Sequence, residues 1–140
     1  MSQTIDLART FIHLGNGGGA EPVKVTGAFW SGRTSQHYDR VVGAFDFRSA
    51  RDLHASTQEM HPEADEVLLL IAGAIDVVLE EDGAERTIAL EAGQAAIVPR
   101  GVWHRLVARS PGRLLFINNR RGMRSRPLRA QRGDGECSPT

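Results

Sequence analysis

Short apolar runs, each closed by turn residues, divide most of this chain, and no helical period persists over any length. Residues 40–48 carry Val41, Val42, Phe45 and Phe47, and 58–61 is a short segment stopped by Pro62. A continuous apolar run, 67–72, ends at Gly73; residues 75–80 follow, then a turn at 80–83. Residues 85–90 alternate, Ala95–Val98 ends at Pro99, 103–108 runs to Ser110-Pro111-Gly112, and 113–118 is the last apolar segment. The stretch 67–79 is apolar enough to mimic a helix, but Gly73 and the β-branched residues around it argue for a hairpin. Evenly spaced short strands with turn signals between them predict an all-β domain of about eight strands, a barrel or jelly-roll sandwich.

The flanks read differently. Residues 1–39 form a leader containing a flexible Gly15–Gly19 turn, and 21–30 offers an edge strand with Val23, Val25, Phe29 and Trp30. Residues 31–39 are polar, a loop or short helical turn. From 119 to 140 the composition turns to Arg, Gly, Ser and Pro, as in a disordered or loosely attached tail. The expected organisation is a leader (1–39), a barrel (40–118) and an Arg-rich tail (119–140).

A chain of 140 residues fits one domain able to bury a core without staples. Cys137 is the single cysteine, so no disulfide forms within the chain, which fits a reducing compartment. The N-terminus lacks the parts of a secretion signal, and no apolar run approaches the ~18 residues of a membrane span. A soluble, cytoplasmic protein with no membrane partner is expected. The net charge of zero hides an asymmetry: six arginines against two acids from 119 onward leave +4 there and −4 in the rest. The tail has no interleaved aromatics and the acidic body would repel phosphate, so no nucleic-acid partner is expected.

Two stretches carry candidate chemistry. Residues 93–104, GQAAIVPRGVWH, fit G-x5-P-x-G-x2-H and place His104 at the start of a strand. Residues 59–73, EMHPEADEVLLLIAG, place Glu59, His61 and Glu66 ahead of another strand. Glu59 and His61 are two apart on a strand and share a face. Carboxylates and imidazoles inside an apolar barrel need partners or a metal ion. Two carboxylates and two imidazoles around a 2+ ion make a neutral, oxygen-rich site. That set favours Mn or Fe, with Zn and Ni also admissible. Glu59 is alternatively a substrate-facing carboxylate and general base. His54 is a weaker substitute ligand. Arg100 and Arg113 are candidates to meet an anionic substrate, although exposed arginine is their default reading. Trp103 should face away from His104.

These two stretches resemble the paired motifs of the cupin superfamily. In H-x-H-x3-4-E-x6-G, His61 takes the second histidine, Glu66 the glutamate and Gly73 the glycine, while Glu59 stands at the first histidine. In G-x5-P-x-G-x2-H-x3-N, Gly93 to His104 match, while Ala108 stands at the asparagine. The resemblance implies a jelly-roll barrel, a divalent metal held by Glu59, His61, Glu66 and His104, and a homodimer, often built by adding an N-terminal strand to the neighbour's sheet. The candidate strand here is 21–30. Fold and metal do not fix chemistry. The expected function is a metal-dependent isomerase, lyase or dioxygenase acting on a small polar molecule. The alternatives are a non-catalytic small-ligand-binding or sensor module, with or without metal, and a degenerate structural barrel.

Overall fold

The computed structural model describes residues 4–53 and 55–128. Nine strands are present among them: β1 (Thr10–Leu14), β2 (Ala20–Lys24), β3 (Arg40–Phe47), β4 (Thr57–Met60), β5 (Glu66–Glu81), β6 (Ala84–Glu91), β7 (Ala95–Val98), β8 (Trp103–Asn118) and β9 (Arg124–Pro127). One four-residue helix, α1 (Gly27–Trp30), and two 3-10 turns complete the described elements. None of these helices is long and apolar enough to cross a membrane.

All strand pairs are antiparallel and form one continuous sheet, folded over at β5 and β8 into two facing leaves. The first half of β5 and the second half of β8 lie between β7 and β3, with β1 and β2 beyond. The second half of β5 and the first half of β8 lie between β6 and β4, with β9 beyond. This is a jelly-roll barrel, as the strand pattern predicts. Phe11, Leu68, Leu70, Ile75, Val77, Leu79, Leu114 and Phe116 from both leaves fill the space between them.

The expected hairpin at Gly73 is absent. β5 runs through it as one bent strand, and β8 likewise runs through Ser110-Pro111-Gly112 without reversing. Side-chain parity explains the bend. Leu68 and Leu70 are buried before it, Ile75, Val77 and Leu79 after it, so inward positions switch from even to odd. An extra residue in the strand is needed to keep both halves apolar inward, and the register with β8 slips between Leu70 and Ile75. Gly73 supplies the left-handed backbone (φ +87). A methyl group on Gly112 would overlap the Ala72 carbonyl. These glycines mark where two strands cross in contact rather than where the chain turns back.

Both flanks join the barrel. β1 and β2 form a hairpin on β3, with β2 outermost. Trp30, expected in a strand, belongs to α1, where Phe29 is fully buried against Phe11 at 5.4 Å in an edge-to-face pair. At the other end, residues 119–128 are not a loose tail. Asn119 and Arg120 are buried and β9 pairs with β4. Apolar alternation does not announce β9, because polar contacts hold it. Arg126 lies 3.9 Å over the Trp103 ring and donates to Gln58 and Glu80 at 2.8 and 3.0 Å.

Candidate metal centre

Three strands meet at the candidate site. β4 carries Glu59 and hands on to His61, β5 opens with Glu66, and His104 lies one residue into β8, opposite Glu59. One potential ligand atom from each of Glu59, His61 and His104 lies within 4.8 Å of the others. Glu66 sits under both imidazoles, its two oxygens 3.0 Å from His104 Nε2 and 3.4 Å from His61 Nε2. The structure therefore brings together all four residues singled out in the sequence. His61, Glu66 and His104 are only 3%, 5% and 3% exposed, while Glu59 is half-buried.

The rings are oriented from behind. His61 Nδ1 lies 3.0 Å from the Asn119 carbonyl, and His104 Nδ1 lies 3.3 Å from the Val102 carbonyl. Carbonyls accept only, so each Nδ1 carries a proton and each Nε2 is turned toward the cluster, the arrangement metal-binding histidines use. His61 Nε2 is buried and has no hydrogen-bond partner; the nearest Glu66 oxygen lies 3.4 Å away. An orphaned nitrogen facing two carboxylates fits a divalent ion, as does the donor set of two imidazoles and two carboxylates.

The electrostatics are those of a tightly coupled site. Burial pushes the Glu66 carboxyl up, but the His104 hydrogen bond and the close approach of both imidazoles outweigh it and hold it well below the usual carboxylate range. Burial pulls His104 down, but the hydrogen bond and charge of Glu66, helped by the Val102 carbonyl and Glu59, leave it raised. Asn118 adds a donor, its Nδ2 2.8 Å from Glu66.

A cavity of about 480 Å³ adjoins the cluster, within the ~300–1,000 Å³ usual for small-molecule pockets. Its polar lining includes Glu59, Glu66, His104, Asn118 and Arg120, and its apolar wall includes Phe45, Leu53 and Leu106. Arg100 and Arg113, considered for an anionic substrate, are instead paired with Asp65 (3.3 Å) and Asp46 (2.6 Å). Two arginines line the cavity: Arg105, which pairs with Glu85 at 3.6 Å, and Arg120, which belongs to the segment expected to be tail. Asn118 was also missed, and Ala108, standing at the motif's asparagine, packs against the core. One signal was available: the inward alternation of Leu114 and Phe116 continues to Asn118 and Arg120. Trp103 faces away from His104, as expected, under Arg126. His54 and Cys137 lie outside the described residues.

A jelly-roll barrel with two histidines and two glutamates converging from three strands defines a class, a small β-barrel with a donor set for a divalent ion. The family Cupin_2 (Cupin domain) matches residues 53–118, the part of the barrel that carries the four candidate ligands. Similar solved structures include a cupin-2 domain protein from Shewanella frigidimarina, 20% identical, covering 59% of this chain and 72% of that one at a TM-score of 0.46. Salicylate 1,2-dioxygenase from Pseudoaminobacter salicylatoxidans is 20% identical, covering 63% of this chain and 24% of that one at a TM-score of 0.50. Oxalate oxidase is 18% identical, covering 57% of this chain and 41% of that one at 0.47. The chain thus spans less than half the length of either enzyme, and the likeness is one of fold. No curated protein matches the sequence.

Proposed function

We propose that this protein is a metal-dependent enzyme acting on a small polar molecule, with Glu59, His61, Glu66 and His104 holding one divalent ion. The observation that carries this reading is the buried, unpartnered Nε2 of His61, facing Glu66 while its Nδ1 is fixed on a carbonyl. Two oxygen and two nitrogen donors favour Mn or Fe, and Zn or Ni also fit. When bound, such an ion polarises a carbonyl or carboxylate oxygen or lowers the pKa of a coordinated water. The chain's own residues supply the rest. His61 and His104 are oriented by the Asn119 and Val102 carbonyls, and Asn118 steadies Glu66. Glu59, the least buried of the four and a cavity-lining group, would take a proton from a substrate only when released from the ion. Isomerase, lyase and dioxygenase chemistry all suit this arrangement.

Elemental analysis of untagged protein, purified without chelator, tests the reading beside a His61→Ala/His104→Ala control. Near-stoichiometric Mn, Fe, Zn or Ni in the wild type alone is expected. Metal in neither protein, with none taken up on addition, refutes it. One observation favours a metal-free ligand-binding module instead: Glu66 already accepts from His104 and Asn118 at 3.0 and 2.8 Å. That second outcome would select it.

A homodimer belongs to the same proposal. On the outer face of β5, β7 and β8, Val67, Leu69, Ile71, Ile97, Leu115 and Ile117 form an uncharged strip, with Ile71 47% and Ile97 62% exposed. Such a strip marks an interaction site, and its lack of charge suits like against like across a two-fold axis in a second copy.

A further inference from the structure

We infer that Arg120 receives the carboxylate of a monoanionic substrate with a short apolar body, bound in the cavity beside the metal centre. The inference deepens the proposed function and rests on it for its charge balance. Arg120 is only 7% exposed, yet its guanidinium makes no hydrogen bond or ion pair with any described residue, and its Nε is buried without a partner. The other arginines with an orphaned Nε differ. Arg40 still donates to the Asp65 carbonyl, and Arg105 pairs with Glu85 at 3.6 Å. A buried cation without an acceptor is costly, and a bound anion would offset that cost.

The guanidinium is held in a way that keeps its donors free. It lies 5.4 Å from the Phe29 ring and 5.2 Å from the Trp30 ring. Cation–π contact with these two rings, which lie at 88° to each other, positions the charge without supplying a hydrogen-bond acceptor, so the N–H groups remain to be used in bidentate recognition of a carboxylate. The backbone is fixed as well, because Gln36 Nε2 donates to the Arg120 carbonyl at 3.0 Å. Burial lowers the Arg120 pKa, and the charges of Glu59 and Glu66 act against that; an arginine remains cationic regardless.

The alternative role, neutralising Glu59 and Glu66, falls to the metal. An ion of charge 2+ balances those two carboxylates and leaves Arg120 with one positive charge to satisfy. Other charged groups on the cavity wall have partners: Asp46 is bound by Arg113, and Asp52 accepts from the Arg48 and Ser49 backbone. Phe45, Leu53 and Leu106 then suit an apolar body.

Calorimetric titration of Mn-loaded protein with 4-methylpentanoate and with its neutral amide tests this. Wild type, Arg120→Lys and Arg120→Met are compared, with metal content and melting temperature measured for each. Wild type is expected to prefer the acid by about 10- to 100-fold, the worth of a charge-assisted bidentate contact. Arg120→Met should abolish the preference while leaving metal content unchanged, and Arg120→Lys should fall between. Equal binding of acid and amide by wild type, binding of neither, or a preference that survives in Arg120→Met overturns the inference. If wild type takes up no metal, the metal reading fails. The same titrations on metal-free protein then decide this one, and no acid preference there overturns it too.

Discussion

Replacing Glu66 by Gln in the metal-free protein removes one charge and almost no volume from the centre of the site. Glu66 is 5% exposed and accepts from His104 at 3.0 Å and Asn118 at 2.8 Å. Breaking a buried charge pair from one side costs about 3–5 kcal/mol. His104 can discharge and Gln keeps one acceptor, so the lower end applies, about 3 kcal/mol or roughly 10 °C in Tm for a domain of this size. The loss depends on pH in a way that identifies its origin. Glu66 has a folded pKa below its unfolded value of ~4.3, so its contribution is present above that pH and is lost as pH falls through the folded value. His104 has a folded pKa above ~6.5, so its contribution is present below that pH and is lost as pH rises through the raised value. The gap between wild type and Glu66→Gln should be widest at about pH 5–6.5 and narrow on both sides. Thermal denaturation from pH 4 to 8 with chelator present measures it. A gap that stays constant across that range refutes the coupled Glu66–His104 pair.

Gly112→Ala places a methyl group in the Ala72 carbonyl and should destabilise the fold by at least about 2 kcal/mol, read as a lower urea midpoint; an unchanged midpoint contradicts the close crossing of β5 and β8. Arg126→Ala removes the stack on Trp103 and the bonds to Gln58 and Glu80. It should speed amide exchange in β4 and β9 while leaving the β1–β2 hairpin unchanged, and uniform exchange would contradict that anchoring. Ile97→Glu should convert a dimer to a monomer by light scattering, whereas a wild type that runs as a 15.3 kDa monomer removes the dimer proposal.

The barrel and the four-residue cluster were legible because each rests on local signals. Two-residue alternation sets which side of a strand is buried, and Gly93, Pro99 and Gly101 position His104 through turn chemistry that short-range sequence contains. The bends in β5 and β8 were not legible. Gly73 and Gly112 look like chain reversals locally, and only the long antiparallel pairing of the two strands makes them a crossing point. The C-terminal residues were misread for a related reason. β9 has no apolar face, and its stability comes from β4, Gln58, Glu80 and Trp103, all distant in sequence. Arg120 was hidden within the same basic composition, although the alternation from Leu114 pointed to it.

Anomalous diffraction from crystals of the Mn-loaded protein tests the central claim most directly. The account expects one strong peak about 2.0–2.3 Å from His61 Nε2, His104 Nε2 and a Glu66 oxygen, with Glu59 completing the set. A peak elsewhere, or none in fully loaded crystals, would contradict it.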